Sequence, residues 1–137
     1  MTKSVKLLPE LKKRILSPKQ NKFSHFITGA IGEQIACDFL VKNGYQILDR
    51  NLVFKKHVID LIALDKRHQE LVFVEVKTRQ TGQFGNPSNA VGKTKLKSLQ
   101  YVAQQYLRTT DLRNLYRFDI IAVTPGGVEH FENVTWP

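Results

Sequence analysis

Two charged side chains at the end of an apolar stretch are the residues of this sequence best suited to chemistry. Residues 71–79 (LVFVEVKTR) are mainly β-branched and aromatic, which favours a β-strand whose side chains alternate between two faces. On one face the apolar side chains give way to Glu75, Lys77 and Arg79. A carboxylate and an ammonium group therefore leave the same side of the strand. A strand that simply runs out into solvent could carry the same pair, so this motif alone does not decide its role.

A third charged residue, Asp60, lies inside the preceding apolar stretch, residues 57–64, and on an ideal strand it shares the apolar face. A buried carboxylate is costly unless it is paired or bound to a metal. A polar turn follows this stretch and predicts a hairpin, which brings Asp60 towards Glu75. Two carboxylates beside Lys77 suit a hard cation such as Mg²⁺, with the lysine placed to orient a water molecule. The alternative is a structural ion pair of Asp60 with Lys77 or Arg79.

The length and charge of the chain limit the classes of protein to consider. A chain of 137 residues with 42% hydrophobic content is enough for one domain with one core. Its net charge of +9 favours a polyanionic partner, and nucleic acid before a membrane surface. Residues 1–24 hold seven basic residues and one glutamate, which leaves a net charge of only +3 for the rest. We therefore expect a basic arm or short helix over 1–24 and a globular domain over 25–137.

The sequence also predicts where the protein resides. It has no apolar segment long enough to span a bilayer, and its basic start lacks the apolar region and cleavage site of a secretory signal. The single cysteine, Cys37, excludes an intramolecular disulfide and any multi-cysteine zinc site. These features are typical of a protein of the reducing cytoplasm, and Cys37 fits a helical pattern as a small core residue.

Periodicity and turn residues predict two helices and five strands. The predicted elements are a helix over 28–43, strands over 45–53, 57–64 and 71–79, a helix over 93–108, and strands over 116–123 and 128–134. Three consecutive strands with short links favour a meander, so we expect an α/β fold with a mixed sheet in the order α-β-β-β-α-β-β. Residues 80–88, rich in Gly and polar side chains, predict a loop long enough to cover an adjacent site.

The predicted helices add further charged candidates. Glu33 lies in a stripe of small and apolar residues on the first helix, where it is either a rim residue or part of a site. Lys93, Lys95 and Lys97 open the second helix, where the helix dipole disfavours cations. Contact with phosphate would explain these lysines, and so would a solvated basic helix end.

The arrangement of these charged residues resembles a known site. A Glu-x-Lys motif on the third strand, an aspartate on the second and a glutamate on the preceding helix is the arrangement of the restriction-endonuclease-like superfamily. From Gly29 to its C-terminus the chain resembles the YraN-like bacterial family of predicted endonucleases, which is similar in fold to archaeal Holliday junction resolvases. The residues that carry this resemblance are Gly29, Gly32, Glu33, Ala36, Gly44-Tyr45, Arg50-Asn51, residues 59–63, residues 73–79, Phe84-Gly85, Ala90-Val91, Lys95 and residues 117–119.

The resemblance implies a restriction-endonuclease-like fold and a metal-dependent endonuclease acting on DNA, including branched or junction DNA in repair or recombination. Its implied catalytic residues are Glu33, Asp60, Glu75 and Lys77. Its implied ligands for Mg²⁺ or Mn²⁺ are Asp60, Glu75 and the Val76 carbonyl. Its nucleic-acid contacts would be Arg79, Lys93, Lys95 and Lys97. Resolution of a junction needs two symmetric cuts, so this activity would imply a homodimer.

One departure from the family pattern bears on the chemistry. The family usually has Gly-Glu immediately before Ile-Asp, whereas this chain has His57-Val58. The change removes a possible second metal ligand or a structural ion pair, and His57 is predicted to point away from Asp60. Two other functions therefore stay open: a non-catalytic nucleic-acid-binding protein that uses the same basic surface, and an interaction module whose basic arm docks an acidic protein.

Overall fold

A mixed β-sheet with one helix on each face forms the structure, a computed structural model that describes residues 2–5, 24–79 and 93–134. Its elements are β1 (Thr2–Val5), α1 (Ser24–Lys42), β2 (Tyr45–Phe54), β3 (His57–Asp65), β4 (Glu70–Thr78), α2 (Lys93–Thr110), β5 (Tyr116–Thr124) and β6 (Gly127–Phe131). From α1 onwards this is the predicted order α-β-β-β-α-β-β, so the predicted fold class is confirmed. The loop predicted over residues 80–88 and residues 6–23 of the basic arm lie outside the described residues.

The six described strands have the spatial order β1-β6-β5-β4-β3-β2. Strands β2, β3 and β4 form the predicted antiparallel meander. Strand β5 then pairs with β4 in parallel, which requires the crossover connection that contains α2. Strand β1 was not predicted: it pairs with β6 at the sheet edge, with Thr2 opposite Phe131.

The alternation predicted for β4 is confirmed by the way its side chains divide between the two faces. Val72 and Val74 pack into the apolar cluster that contains the residues of α1. Leu71 and Phe73 pack into the cluster that contains the residues of α2. The alternation therefore directs the following Glu75 towards the side of α2.

Each helix buries one stripe against the sheet. The buried residues on the α1 side are Ile31, Ile35, Ala36, Cys37, Phe39, Leu40, Tyr45, Leu61, Ala63, Val72, Val74, Ile121, Val123 and Val128. Those on the α2 side are Ile59, Ile62, Leu71, Phe73, Leu96, Leu99, Val102, Ala103, Tyr106, Phe118 and Ile120. Among the helices of the described part of the chain, none is long and apolar enough to cross a membrane.

The end of α1 follows the predicted stop signal. The side chain of Asn43 donates a hydrogen bond of 2.7 Å to the carbonyl of Phe39, which also accepts the backbone N–H of Asn43 at 3.1 Å. Gly44 has a φ of 89°, a backbone conformation in which a side chain would be strained. The chain can therefore turn directly from α1 into β2.

Close packing between α1 and β4 depends on Gly32. A Cβ atom at position 32 would overlap Thr78 Oγ1 at the end of β4. We expect Gly32→Ala to destabilise the fold by about 1–3 kcal/mol, because the helix must move away from the strand. Helix propensity alone predicts that Gly32→Ala stabilises the protein, since alanine is about 1 kcal/mol more favourable than glycine at an exposed helix position.

Chemical denaturation of Gly32→Ala, Thr78→Ala and the double variant tests this contact. We expect the double variant to lose less stability than the two single variants together, because the truncated side chain makes room for the new methyl group. Simple additivity, or a stabilised Gly32→Ala protein, would show that the helix does not rely on this close approach.

Candidate metal and nucleic-acid site

The strand register brings Asp60 and Glu75 to the same place in the sheet. The β3–β4 ladder reaches Leu61 opposite Val74, so Asp60 and Glu75 are the next residues on the two strands. There the backbone N–H of Val76 donates a hydrogen bond of 2.8 Å to Asp60 Oδ2. A carboxylate thus accepts a hydrogen bond from the neighbouring strand just beyond the last backbone pair of β3 and β4. This bond fixes the Asp60 carboxylate beside the exit of β4.

The alternation of β3 is interrupted next to Asp60. Leu61 packs with the α1-side cluster and Ile62 with the α2-side cluster, as an alternating strand requires. Ile59 also packs on the α2 side, where strict alternation would direct it towards α1. The prediction that Asp60 simply shares the face of Ile62 therefore describes an ideal strand rather than this one. The irregular backbone allows the carboxylate to turn towards Val76.

Glu75 is the centre of the ion pairs in this cluster. It is only 7% exposed, and Lys77 Nζ lies 3.4 Å from its Oε1 atom. Lys95 Nζ, from α2, lies 3.5 Å from Oε2. Lys77 therefore pairs with Glu75 rather than with Asp60. Glu75 Oε2 is buried, and among the described residues no donor meets it in hydrogen-bond geometry, Lys95 Nζ being in ion-pair contact only.

The pKa of Asp60 is raised by its surroundings in the cluster. Burial raises this pKa and the negative charge of Glu75 raises it further, to about 6, while the hydrogen bond from Val76 opposes the shift. The charge of Glu33 acts in the same direction as that of Glu75, which places the α1 glutamate within electrostatic reach. Burial and repulsion from two other carboxylates therefore disfavour the charged form of Asp60. A bound cation would relieve this repulsion.

Asp60→Asn should stabilise the metal-free protein. The folded-state pKa of about 6 lies above the usual aspartate value near 3.9, so the folded protein binds the extra proton as the pH falls. Asp60 therefore destabilises the fold above pH 6, and this penalty disappears below about pH 4. We expect Asp60→Asn to raise the free energy of unfolding by roughly 1–2 kcal/mol at pH 7.5 in a chelator, with no gain at pH 4.

Urea denaturation at the two pH values measures this effect. Asp38→Asn provides the matched control, because Asp38 is an exposed carboxylate on α1. A variant that is less stable than the wild type at pH 7.5 would mean that the carboxylate serves the fold and does not strain it.

The side chains of the other predicted site residues differ in their exposure to solvent. The side chain of Lys77 is 24% exposed and that of Lys95 is 36% exposed, so both ammonium groups reach solvent. Arg79 is exposed, and its Nη1 donates a hydrogen bond of 3.0 Å to the carbonyl of Thr78. Lys97 is exposed on α2. Lys93 begins α2, but its side chain lies outside the described residues.

A second group of candidate ligands lies at the opposite end of β3 and β4 and was not predicted. Asp65, His68 and Glu70 bring one ligand atom each within 4.8 Å of one another. Arg117 Nη1 already lies 3.1 Å from Asp65 Oδ2 and 2.9 Å from Glu70 Oε1. A guanidinium group thus occupies the position between the two carboxylates. Asp60 and Glu75, the ligands predicted from sequence, do not belong to this group.

This second group is better explained as a structural ion network. Burial disfavours the charge of Asp65, but hydrogen bonds from His68, Arg67 and Arg117 outweigh it and hold the pKa of Asp65 well below its usual range. Arg117 also donates from Nε to Asp119 at 3.1 Å. No local pattern predicts the network, because Arg117 and Asp65 are far apart in the chain.

The described part of the molecule also holds a basic cleft beside the carboxylates. Lys56 lines it from the turn before β3 and His57 from the start of β3, while Lys95, Lys97 and Tyr101 line it from α2. Its connection with the carboxylate cluster is Lys95, which lines the cleft and also pairs with Glu75. Sequence reasoning identified its lysines on α2 but not its aromatic wall.

Comparison with known proteins identifies the family. The model of the uncharacterised protein family UPF0102 matches residues 32–123, which run from α1 to β5 and include the whole carboxylate cluster. The chain belongs to UPF0102. The resemblance to the YraN-like family is thereby confirmed, whereas residues 1–31 lie outside the match.

Individual UPF0102 proteins are similar over most of their length. A UPF0102 protein of Flavobacterium psychrophilum is 41% identical over 113 residues, which cover 80% of this chain and 93% of the relative. One from Alkaliphilus oremlandii is 48% identical over 99 residues, covering 69% and 82% of the two chains. One from Caldanaerobacter subterraneus is 46% identical over 96 residues, covering 69% and 77%. These names state the family and no activity.

Proposed function

We propose that this UPF0102 protein is a metal-dependent endonuclease that hydrolyses DNA phosphodiester bonds. The observation that carries the proposal is the buried Glu75 Oε2 atom, which accepts no hydrogen bond from the residues that the structure describes and lies in a cluster with Asp60 and two lysines. A buried carboxylate oxygen without a hydrogen bond, beside a second carboxylate of raised pKa, is typical of a site that binds a cation during function.

The residues present fit a hard divalent cation. Asp60 and Glu75 would hold Mg²⁺ or Mn²⁺, and the Val76 carbonyl is a further oxygen ligand at the same strand exit. When bound, the cation supplies positive charge to the phosphate and favours a hydroxide nucleophile. Lys77 would orient the attacking water or stabilise the negative charge of the transition state. Glu33 would accept a hydrogen bond from a water molecule of the site.

The basic residues around the cluster support a polyanionic substrate. Lys95, Lys97, Lys93 and Arg79 would contact phosphates, which position a duplex without reading its sequence. Such contacts suit a substrate recognised by its shape, such as branched, flapped or junction DNA in repair or recombination. Symmetric cutting of a junction would require a homodimer. A cytoplasmic protein would meet this DNA directly in a bacterial cell.

A non-catalytic nucleic-acid-binding protein is the second candidate, and one observation favours it. Lys77 and Lys95 both pair with Glu75, so this carboxylate is compensated within the protein itself. The family's Gly-Glu pair is also replaced by His57-Val58. Such a protein would lose DNA affinity as salt rises and would never cut.

Cleavage of a panel of DNA substrates separates the two candidates. Wild-type protein would be incubated with a four-way junction, a flap, single strands and a plain duplex, with Mg²⁺, with Mn²⁺ and with a chelator. Lys77→Met would be compared with Lys66→Met, which alters an exposed lysine in the turn between β3 and β4. We expect metal-dependent cutting that falls about a hundredfold or more in Lys77→Met and persists in Lys66→Met. Salt-dependent binding without cutting by the wild type would instead support the binding protein.

A further inference from the structure

The basic cleft beside the carboxylates has the size and charge of a ligand site. Its volume is about 770 Å³, within the range of about 300–1,000 Å³ that is typical of small-molecule pockets. Three lysines line it, Lys56 from the turn before β3 and both Lys95 and Lys97 from α2. No acidic side chain is among its described lining residues. A polyanion is the class of ligand that this charge distribution attracts.

Two rings form a wall of the same cleft. The rings of His57 and Tyr101 have centroids 4.9 Å apart and are tilted by 50°. His57 Nδ1 and Ser98 Oγ share a hydrogen bond of 2.6 Å, which fixes the imidazole orientation. Lys55 Nζ lies 5.8 Å from the centre of the Tyr101 ring. The cleft thus combines cations for phosphates with a ring for a flat, apolar group.

This combination distinguishes an unpaired strand from a duplex. Paired bases in a duplex are stacked on one another, so a ring in a concave site cannot reach their faces. An unpaired base exposes its face and can stack on an aromatic side chain while lysines hold the adjacent phosphates. A surface that bound only duplex phosphates would need the lysines and gain nothing from the ring.

We propose that this cleft binds unpaired nucleotides, with bases against Tyr101 and phosphates along Lys56 and Lys97. The proposal rests on the proposed nuclease function only for its consequence, namely that the bound strand continues past Lys95 to Glu75. The nuclease would then prefer DNA with a single-stranded segment beside the cut, such as a flap or an opened junction. The cleft itself would bind single strands without metal and without cleavage.

Binding of the full chain to two labelled probes in a chelator tests the proposal. One probe is a short single-stranded oligothymidine, and the other is an oligomer of the same length and charge whose sites are abasic. We expect the wild type to bind the thymidine probe about tenfold more tightly than the abasic probe, because stacking contributes only to the former. Equal affinity for the two probes would overturn the proposal, since charge alone would then account for binding.

Binding by variants of Tyr101 tests whether the bases stack on this ring. Tyr101→Leu should reduce the affinity for the thymidine probe about tenfold and leave that for the abasic probe unchanged. Tyr101→Phe keeps the ring and should bind both probes as the wild type does, and Lys66→Met is the control outside the cleft. An equal loss for both probes in Tyr101→Leu, or no loss for either, would contradict the assignment.

The two proposals fail in different ways. Base-dependent binding in the chelator with no cutting under any metal condition would disprove the nuclease and retain the cleft. Metal-dependent cutting by a protein that binds thymidine and abasic probes equally would retain the nuclease and disprove the cleft.

Discussion

Glu75→Gln is expected to lower metal-dependent DNA cleavage by about a thousandfold. The substitution keeps the size of the side chain but removes the negative charge that pairs with Lys77 and Lys95 and would bind the cation. A bound metal stabilises the charge of the transition state by several kcal/mol, which corresponds to a rate factor of this order. Single-turnover cleavage of the preferred substrate, with the metal at saturation for the wild type, measures the loss.

A matched control separates this effect from damage to the fold. Glu132 is a partly buried glutamate that follows β6 and accepts a hydrogen bond of 3.4 Å from the Tyr45 hydroxyl at the opposite end of the sheet, so Glu132→Gln should cut like the wild type. Circular dichroism should show the same secondary structure for both variants. A Glu75→Gln protein that keeps more than about a tenth of the wild-type rate would be incompatible with a metal ligand at this position.

Arg117→Met should have the largest effect on stability, a loss of about 3–5 kcal/mol. Arg117 is only 8% exposed, and it bonds Asp65 at 3.1 Å, Glu70 at 2.9 Å and Asp119 at 3.1 Å. Its Nη2 atom also donates a hydrogen bond of 2.8 Å to the Tyr45 hydroxyl. Methionine would fill the space and leave buried carboxylates without their cation, which is the costly way to break such a network.

Urea denaturation of Arg117→Met, Arg117→Lys and Arg113→Met measures this contribution. Lysine keeps the charge but carries its donors on one nitrogen, which cannot occupy the positions of Nε, Nη1 and Nη2 together, so Arg117→Lys should lie between the wild type and Arg117→Met. Arg113 is exposed, and its substitution should change stability by less than about 0.5 kcal/mol. A similar small change in Arg117→Met would show that the network is replaceable by apolar packing.

The arrangement of elements could be predicted because its signals are local. Alternating apolar residues marked the face of Phe73 that continues to Glu75, and the Asn43-Gly44 pair marked the end of α1. The short polar turn after Asp65 fixed the hairpin that brings Asp60 next to Glu75. Each of these inferences depends on a few neighbouring residues, which is the range over which periodicity and turn chemistry act.

Other features could not be predicted because they depend on contacts between distant segments. Strand β1 has the sequence TKSV, too short and polar to indicate a strand without its partner β6. The parallel pairing of β4 and β5 places Arg117 opposite Val72, and only this pairing brings Arg117 to Asp65. The packing of Ile59 on the α2 side interrupts an ideal alternation next to Asp60, which no pattern of apolar residues reveals.

The aromatic wall of the cleft could not be predicted for the same reason, because it depends on a contact between distant segments. His57 lies at the start of β3 and Tyr101 lies in the middle of α2, so the chain gives no sign that their rings meet. An ideal strand directs His57 away from Asp60 and does not indicate this contact, which arises from the packing of α2 on the sheet.

The most direct test of the account is calorimetric titration of Mn²⁺ into the wild type, Glu75→Gln and His68→Ala. The described residues offer two groups of candidate ligands, one around Asp60 and Glu75 and one formed by Asp65, His68 and Glu70. We predict that the wild type and His68→Ala bind Mn²⁺ alike and that Glu75→Gln loses this binding. Binding that is lost in His68→Ala and kept in Glu75→Gln, or no binding to the wild type, would contradict the metal site on which the proposed function depends.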